Sequence, residues 1–152
     1  MIYWVMGGTG VGKKWFMTRA AVLQTRPHFL PTGLLTAEWM NDGPCRVDIA
    51  DRASQHDIMI RWQWGRDEHI KNINRDCPTI SQTLIMLTTD LMTQLSRIAL
   101  REGGLKWNVD AITGEQRNVY ELVANISTNC RLPVLYVDST DNTYELRLRT
   151  VC

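Results

Sequence analysis

The sequence predicts an α/β protein, with a mostly parallel sheet and helices on both of its faces. Three observations predict it. Short apolar runs of strand length alternate with segments whose apolar residues recur at helical spacing, and that alternation implies right-handed crossovers between parallel strands. The first apolar run, residues 2–6, leads straight into a glycine-rich stretch. A helical stripe then begins with no intervening linker.

Residues 2–6 are uniformly apolar and read as a buried strand. Residues 13–25 carry Phe16, Ala20 and Leu23 on one stripe, with Met17, Ala21 and Gln24 beside them, and Arg26-Pro27 ends the helix. A second strand is expected over 33–37. The polar stretch 40–56 holds a turn signal, Asn41-Asp42-Gly43-Pro44. A third strand is expected over 57–62, with room to run on to Trp64, and a short helix over 66–74. Residues 83–88 read as a fourth strand. Thr89 or Asp90 caps the next helix, which carries Leu91, Leu95 and Ile98 and ends at Glu102-Gly103-Gly104. Residues 103–115 read as a polar loop and 116–128 as a helix through Val119, Leu122, Val123 and Ile126. A fifth strand follows over 134–137, and 138–142 turn into a last short helix. With no repeat and no linker, residues 1–152 form one expected domain.

Composition narrows the function classes. The chain has 152 residues, 44% of them hydrophobic and 22% charged, with a net charge of +1. That balance gives no global attraction to nucleic acid or to an anionic membrane, so any anion site must be local. No apolar run approaches the roughly 20 residues needed to span a bilayer. The first residues lack a basic segment and a cleavage site, so a cytoplasmic location is expected. Cys45, Cys77, Cys130 and Cys152 are widely spaced, which fits reduced thiols and neither zinc nor a disulfide framework.

The glycine-rich stretch is Gly7-Gly8-Thr9-Gly10-Val11-Gly12-Lys13. It fits the spacing G-x-x-x-x-G-K of a phosphate-binding loop. Glycines let successive N–H groups converge on phosphate oxygens, and the following helix adds its positive end. Lys13 would bridge β- and γ-phosphates as a point charge. The next position departs from the pattern: Lys14 stands where a Ser or Thr hydroxyl usually binds magnesium. Magnesium would then be held by carboxylates and water, or partly by Thr9 or Thr18, or turnover would be slow. The dinucleotide fingerprint G-x-G-x-x-G is not matched, and it would leave Lys13 unexplained.

On these residues the chain resembles small P-loop kinases of the nucleoside monophosphate kinase-like group. Leu84 to Asp90, followed by Leu95 to Arg101, resembles their fourth strand and the helix before their lid. Residues 134–140 resemble their last strand and the loop near the adenine, which brings in Thr140. Val5 to Lys13 also resembles the ribose bisphosphokinase branch. The resemblance implies a three-layer α/β/α P-loop NTPase fold with a five-stranded parallel sheet of order 2-3-1-4-5. It implies ATP as phosphoryl donor, magnesium as cofactor and a small, nucleotide-like acceptor. It also assigns the nucleotide to Gly7, Gly8, Thr9, Gly10, Val11, Gly12, Lys13, Lys14 and Thr140.

Catalytic roles are expected for Lys13, Asp67, Arg97 and Arg101. The two arginines are four apart and share a helix face. Lys106 and Arg117 would bracket the lid. Acceptor contacts are expected from Glu38, Arg61, Trp62, Gln63 and Arg66. The arginines would fork onto phosphate, Gln63 would read a base edge, and Trp62 or Trp64 would stack on a base or pack in the core. No metal ligand is assigned. The expected function is phosphoryl transfer from ATP to a nucleotide, nucleoside or other small phosphate-bearing acceptor, by a monomer or homodimer with no membrane or nucleic-acid partner. A nucleotide-binding or regulatory module with little turnover is the alternative. An NTPase acting on a macromolecule ranks last, because the sequence has no extended basic stripe.

Overall fold

The computed structural model describes residues 1–13, 15–17, 46–55, 57–62, 67–103, 108–139 and 145–149. The chain runs β1 (Ile2–Met6), α1 (Arg46–Gln55), β2 (Ile58–Arg61), α2 (Asp67–Asp76), β3 (Gln82–Thr88), α3 (Leu91–Glu102), α4 (Val109–Cys130), β4 (Val134–Asp138) and β5 (Glu145–Arg149). A further helical turn begins at Lys13. The strands form one sheet in the order β2-β1-β3-β4-β5. The first four are parallel, with Trp4 level with Ile60 and Leu84, and Met86 level with Tyr136.

β1 lies inside the sheet and all five of its residues are buried. Because side chains alternate along a strand, its residues feed two cores. Ile2, Trp4 and Met6 pack with Ile58, Ile60, Leu84 and Val134 under α1, α2 and α4, which contribute Ile49, Ile70, Ile73, Val119, Val123 and Ile126. Tyr3 and Val5 pack on the opposite face with Met59, Ile85, Leu87 and Val137, against Val11, Phe16 and Met17. Helical residues thus cover both faces. Trp4 and Gln82 match their polar groups inside the first core. Trp4 Nε1 donates to Gln82 Oε1 at 2.8 Å, and Gln82 Nε2 donates to the Ile70 carbonyl at 3.1 Å. Leaving either end unpaired would cost about 1–3 kcal/mol.

The sequence reading and the structure differ at several elements. The expected strand 33–37 lies outside the described residues. The strands expected at 57–62, 2–6, 83–88 and 134–137 are neighbours in that order, as β2, β1, β3 and β4. The strand beyond β4 was not expected. β5 pairs antiparallel with β4, Asp138 level with Glu145; of the short helix expected over 138–142, Asp138 ends β4 and residues 140–142 lie outside the described residues. The β5 sequence, Glu-Leu-Arg-Leu-Arg, alternates with period two, the pattern of a strand. The polar stretch 40–56 contains α1. The supposed loop 103–115 is helical from Val109, so α4 is 22 residues long. Asn108 caps it, accepting from the Ala111 N–H at 2.6 Å. Among the described residues, no helix is long and apolar enough to cross a membrane.

Candidate functional site

The glycine loop leaves the carboxyl end of β1. The chain next pairs β2 on one side of β1, then β3 and β4 on the other. Such a reversal opens a crevice at the carboxyl ends of parallel strands, where ligands bind in open α/β sheets. Two glycines fit the loop there. Gly10 has φ 82 and Gly12 φ 92, both in the left-handed region. A Cβ on Gly10 would also lie 2.8 Å from Ile98 Cγ1 and 3.1 Å from the Gln94 carbonyl oxygen, so the loop rests directly on α3.

Side chains from three elements grip this backbone. From α3, Gln94 Nε2 donates to the Thr9 carbonyl at 2.7 Å and Arg97 Nη1 to the Val11 carbonyl at 3.2 Å. The second Arg97 nitrogen donates to the Ser139 carbonyl just past β4. The buried Ser139 hydroxyl donates to the Val11 carbonyl at 2.6 Å. From α4, Gln116 Oε1 accepts from the Gly8 N–H at 2.6 Å and Glu115 Oε1 from the Thr9 N–H at 2.5 Å. Gln116 also donates to the Leu87 carbonyl at 3.2 Å, tying α4 to the end of β3. Lys13 Nζ donates to the carbonyls of Gly7 and Gly8, at 2.8 and 3.0 Å. Four loop carbonyls are therefore engaged by side chains. The Gly12 carbonyl accepts from Phe16 N–H at 2.9 Å and starts the helix. The N–H groups of Gly12 and Lys13 head that helix, where no intrahelical acceptor exists.

Charge gathers at the same place. Burial draws the Lys13 pKa down to about 8. Glu115 opposes the shift, while Arg61 and Arg101 reinforce it. Arg61 ends β2, level with Val5, and Arg101 lies in the last turn of α3. Two further cations and one carboxylate thus act on the Lys13 amine at the loop.

The other expected site residues divide clearly. Lys14, Glu38, Gln63, Arg66, Thr140, Trp64, Thr18 and Lys106 lie outside the described residues. Trp62 is 2% exposed and belongs to the core under α1 and α2. That corrects its reading as a stacking platform: the apolar face beneath those helices buries the ring. Asp67 opens α2 and lies 4.0 Å from Lys71 one turn on, the place where a carboxylate favours a helix dipole. Arg97 and Arg101 share α3, but they do different things. Arg97 turns back onto the loop and Ser139, whereas Arg101 is exposed and pairs with Glu102 at 3.3 Å. Arg117 is exposed on α4, which begins at Val109, so the residues from there to Arg117, expected within a lid, are helical.

Sequence reasoning missed Gln94, Ser139, Glu115 and Gln116. Gln94 was readable, being buried in α3 one turn ahead of Ile98. Glu115 was hidden because Gly114 beside it suggested a loop. As for magnesium, no group of three or more His, Cys, Asp or Glu side chains able to hold a metal ion occurs among the described residues. Magnesium bound to a polyphosphate needs only one or two carboxylates besides the phosphates and water, and Glu115 at the loop fits that requirement. No protein-family model matches the chain, and no curated protein is significantly similar to it in sequence.

Proposed function

We propose that the glycine loop binds the phosphates of ATP and that the protein transfers the γ-phosphoryl group to a small phosphate-bearing, nucleotide-like acceptor. The observation that carries this reading is a glycine loop at the carboxyl end of a parallel strand inside the sheet, with the Lys13 amine held on the loop carbonyls of Gly7 and Gly8. Phosphoryl transfer requires little covalent chemistry from a protein. It needs positioning, and positive charge around the moving group. Lys13 would leave the Gly7 and Gly8 carbonyls for the β- and γ-phosphates. Arg61 and Arg101, carried by β2 and α3, add positive charge that acts on the amine. Bound magnesium would supply charge neutralisation of the phosphates, with Glu115 as its carboxylate. The finer fold reading, a P-loop NTPase sheet with a further parallel strand at 33–37 beside β2, belongs to the same proposal.

The test is direct. Purified protein is incubated with magnesium, ATP and a panel of nucleosides, nucleoside monophosphates and sugar phosphates, and the products are separated. Conversion of at least one acceptor, lost in Lys13→Ala, is the expected result. No product across the panel abandons the transferase.

A second reading, a nucleotide-binding module with little turnover, is favoured by one specific observation. Arg97, expected to serve the reaction, donates to Val11 and Ser139 and so braces the loop. Tight ATP binding without any product, unaffected by magnesium chelation, would select this reading.

A further inference from the structure

Glu115 places a carboxylate on the glycine loop itself. Its Oε1 accepts from the Thr9 N–H, and its charge acts on Lys13. Its neighbour Gln116 makes the equivalent contact to the Gly8 N–H with a neutral carboxamide. Two adjacent residues of α4 therefore satisfy two adjacent loop donors, one with charge and one without. Hydrogen bonding alone does not require the charge, since a carboxamide performs the same task one residue away. The carboxylate has a second consequence. It presents negative charge to any polyanion entering a loop whose remaining design attracts anions.

We propose that Glu115 makes the loop discriminate in favour of cation-complexed polyphosphate over the bare anion. This rests on the reading of the loop as a triphosphate site. A bare nucleoside triphosphate meets the Lys13 amine and the Glu115 carboxylate together, and the second contact is repulsive. Complexation with a divalent cation removes two units of negative charge, which weakens the repulsion, and a carboxylate facing the cation gains a direct attraction. Lys14 sharpens the need for such a group, because an ammonium at that position supplies no oxygen to the cation. A half-buried site also screens the interaction less than open water does.

The experiment measures ATP affinity by titration calorimetry, once with excess magnesium and once with EDTA, for the unaltered protein, Glu115→Gln and Glu115→Asp. Glutamine keeps an oxygen for the Thr9 N–H and removes only the charge. Bare ATP is expected to bind Glu115→Gln about tenfold tighter than it binds the unaltered protein. The preference for the magnesium complex shrinks accordingly, while Glu115→Asp retains it. Thermal melts check that both variants are folded. An unchanged magnesium-to-EDTA affinity ratio in Glu115→Gln overturns the proposal, and so does an equal shift of both affinities. ATP binding with an unaltered ratio sinks this role alone. No binding of ATP by the unaltered protein in either condition sinks the nucleotide reading with it.

Discussion

Lys13 is half-buried, with its amine on the carbonyls of Gly7 and Gly8, and its pKa is drawn down to about 8. An unfolded lysine holds its proton to about pH 10.4. Between pH 8 and that value the unfolded chain binds more protons than the folded one, so this group makes stability rise with pH across the window. Below pH 8 the buried charge is a standing cost. Denaturant melts at pH 7.5 and 9.5 should therefore show a rise in the unaltered protein that is reduced in Lys13→Met; equal pH dependence in both would contradict the assignment. A bound polyphosphate reverses the balance by favouring the ammonium. ATP affinity should fall as pH rises through 8, and binding near pH 8 should take up protons, which calorimetry in buffers of different ionisation heat would detect. Gly10 is the other residue with a sharp expectation. Its φ of 82 and its closeness to Ile98 make Gly10→Ala strained as well as crowded. A loss of about 2 kcal/mol is expected, read as a lowered denaturation midpoint.

At the level of elements, the two helices that grip the loop differ in how plainly the sequence declares them. α3 is delimited by its own caps. Asp90 accepts from the Thr93 N–H at 2.8 Å, and Gly103 closes the helix at φ 70; both were readable as cap chemistry. α4 carries a clear stripe from Val119 to Ile126, but its first two turns hold Thr113 and Gly114, residues that favour loops. Tertiary contact overrides that preference, because Glu115 and Gln116 anchor these turns to the loop. Gly114 itself has open space where a Cβ would stand. Gly114→Ala should thus stabilise the protein by about 1 kcal/mol, and an unchanged or lowered melting temperature would contradict a helical Gly114. α1 escaped notice for a different reason. Its buried apolar residues are only Ile49, Ala50 and Ala53 among those described, too few to mark a stripe. β5 was legible in its alternation but stood behind a turn that seemed to start a helix.

Across the whole molecule, the parallel strands followed from apolar runs and the right-handed crossover rule, whereas their order came only with the family resemblance, and the glycine loop fell where that order reverses. The antiparallel β5 did not follow, since no crossover rule governs a strand that turns straight back. The site was half legible. A glycine spacing and a lysine are local signals, whereas Glu115, Gln116 and Ser139 lie more than a hundred residues from the loop they touch. Trp62 shows the converse: a chemically attractive side chain whose place is set by the core. All of the functional proposals stand on one claim, that residues 7–13 hold the phosphates of a nucleoside triphosphate. Calorimetric titration of the unaltered protein and of Lys13→Ala with magnesium and ATP tests it most directly. Saturable one-to-one binding to the unaltered protein, weakened at least about a hundredfold in a folded Lys13→Ala, is the predicted result. Absence of binding to the unaltered protein, or equal binding by both, would contradict it.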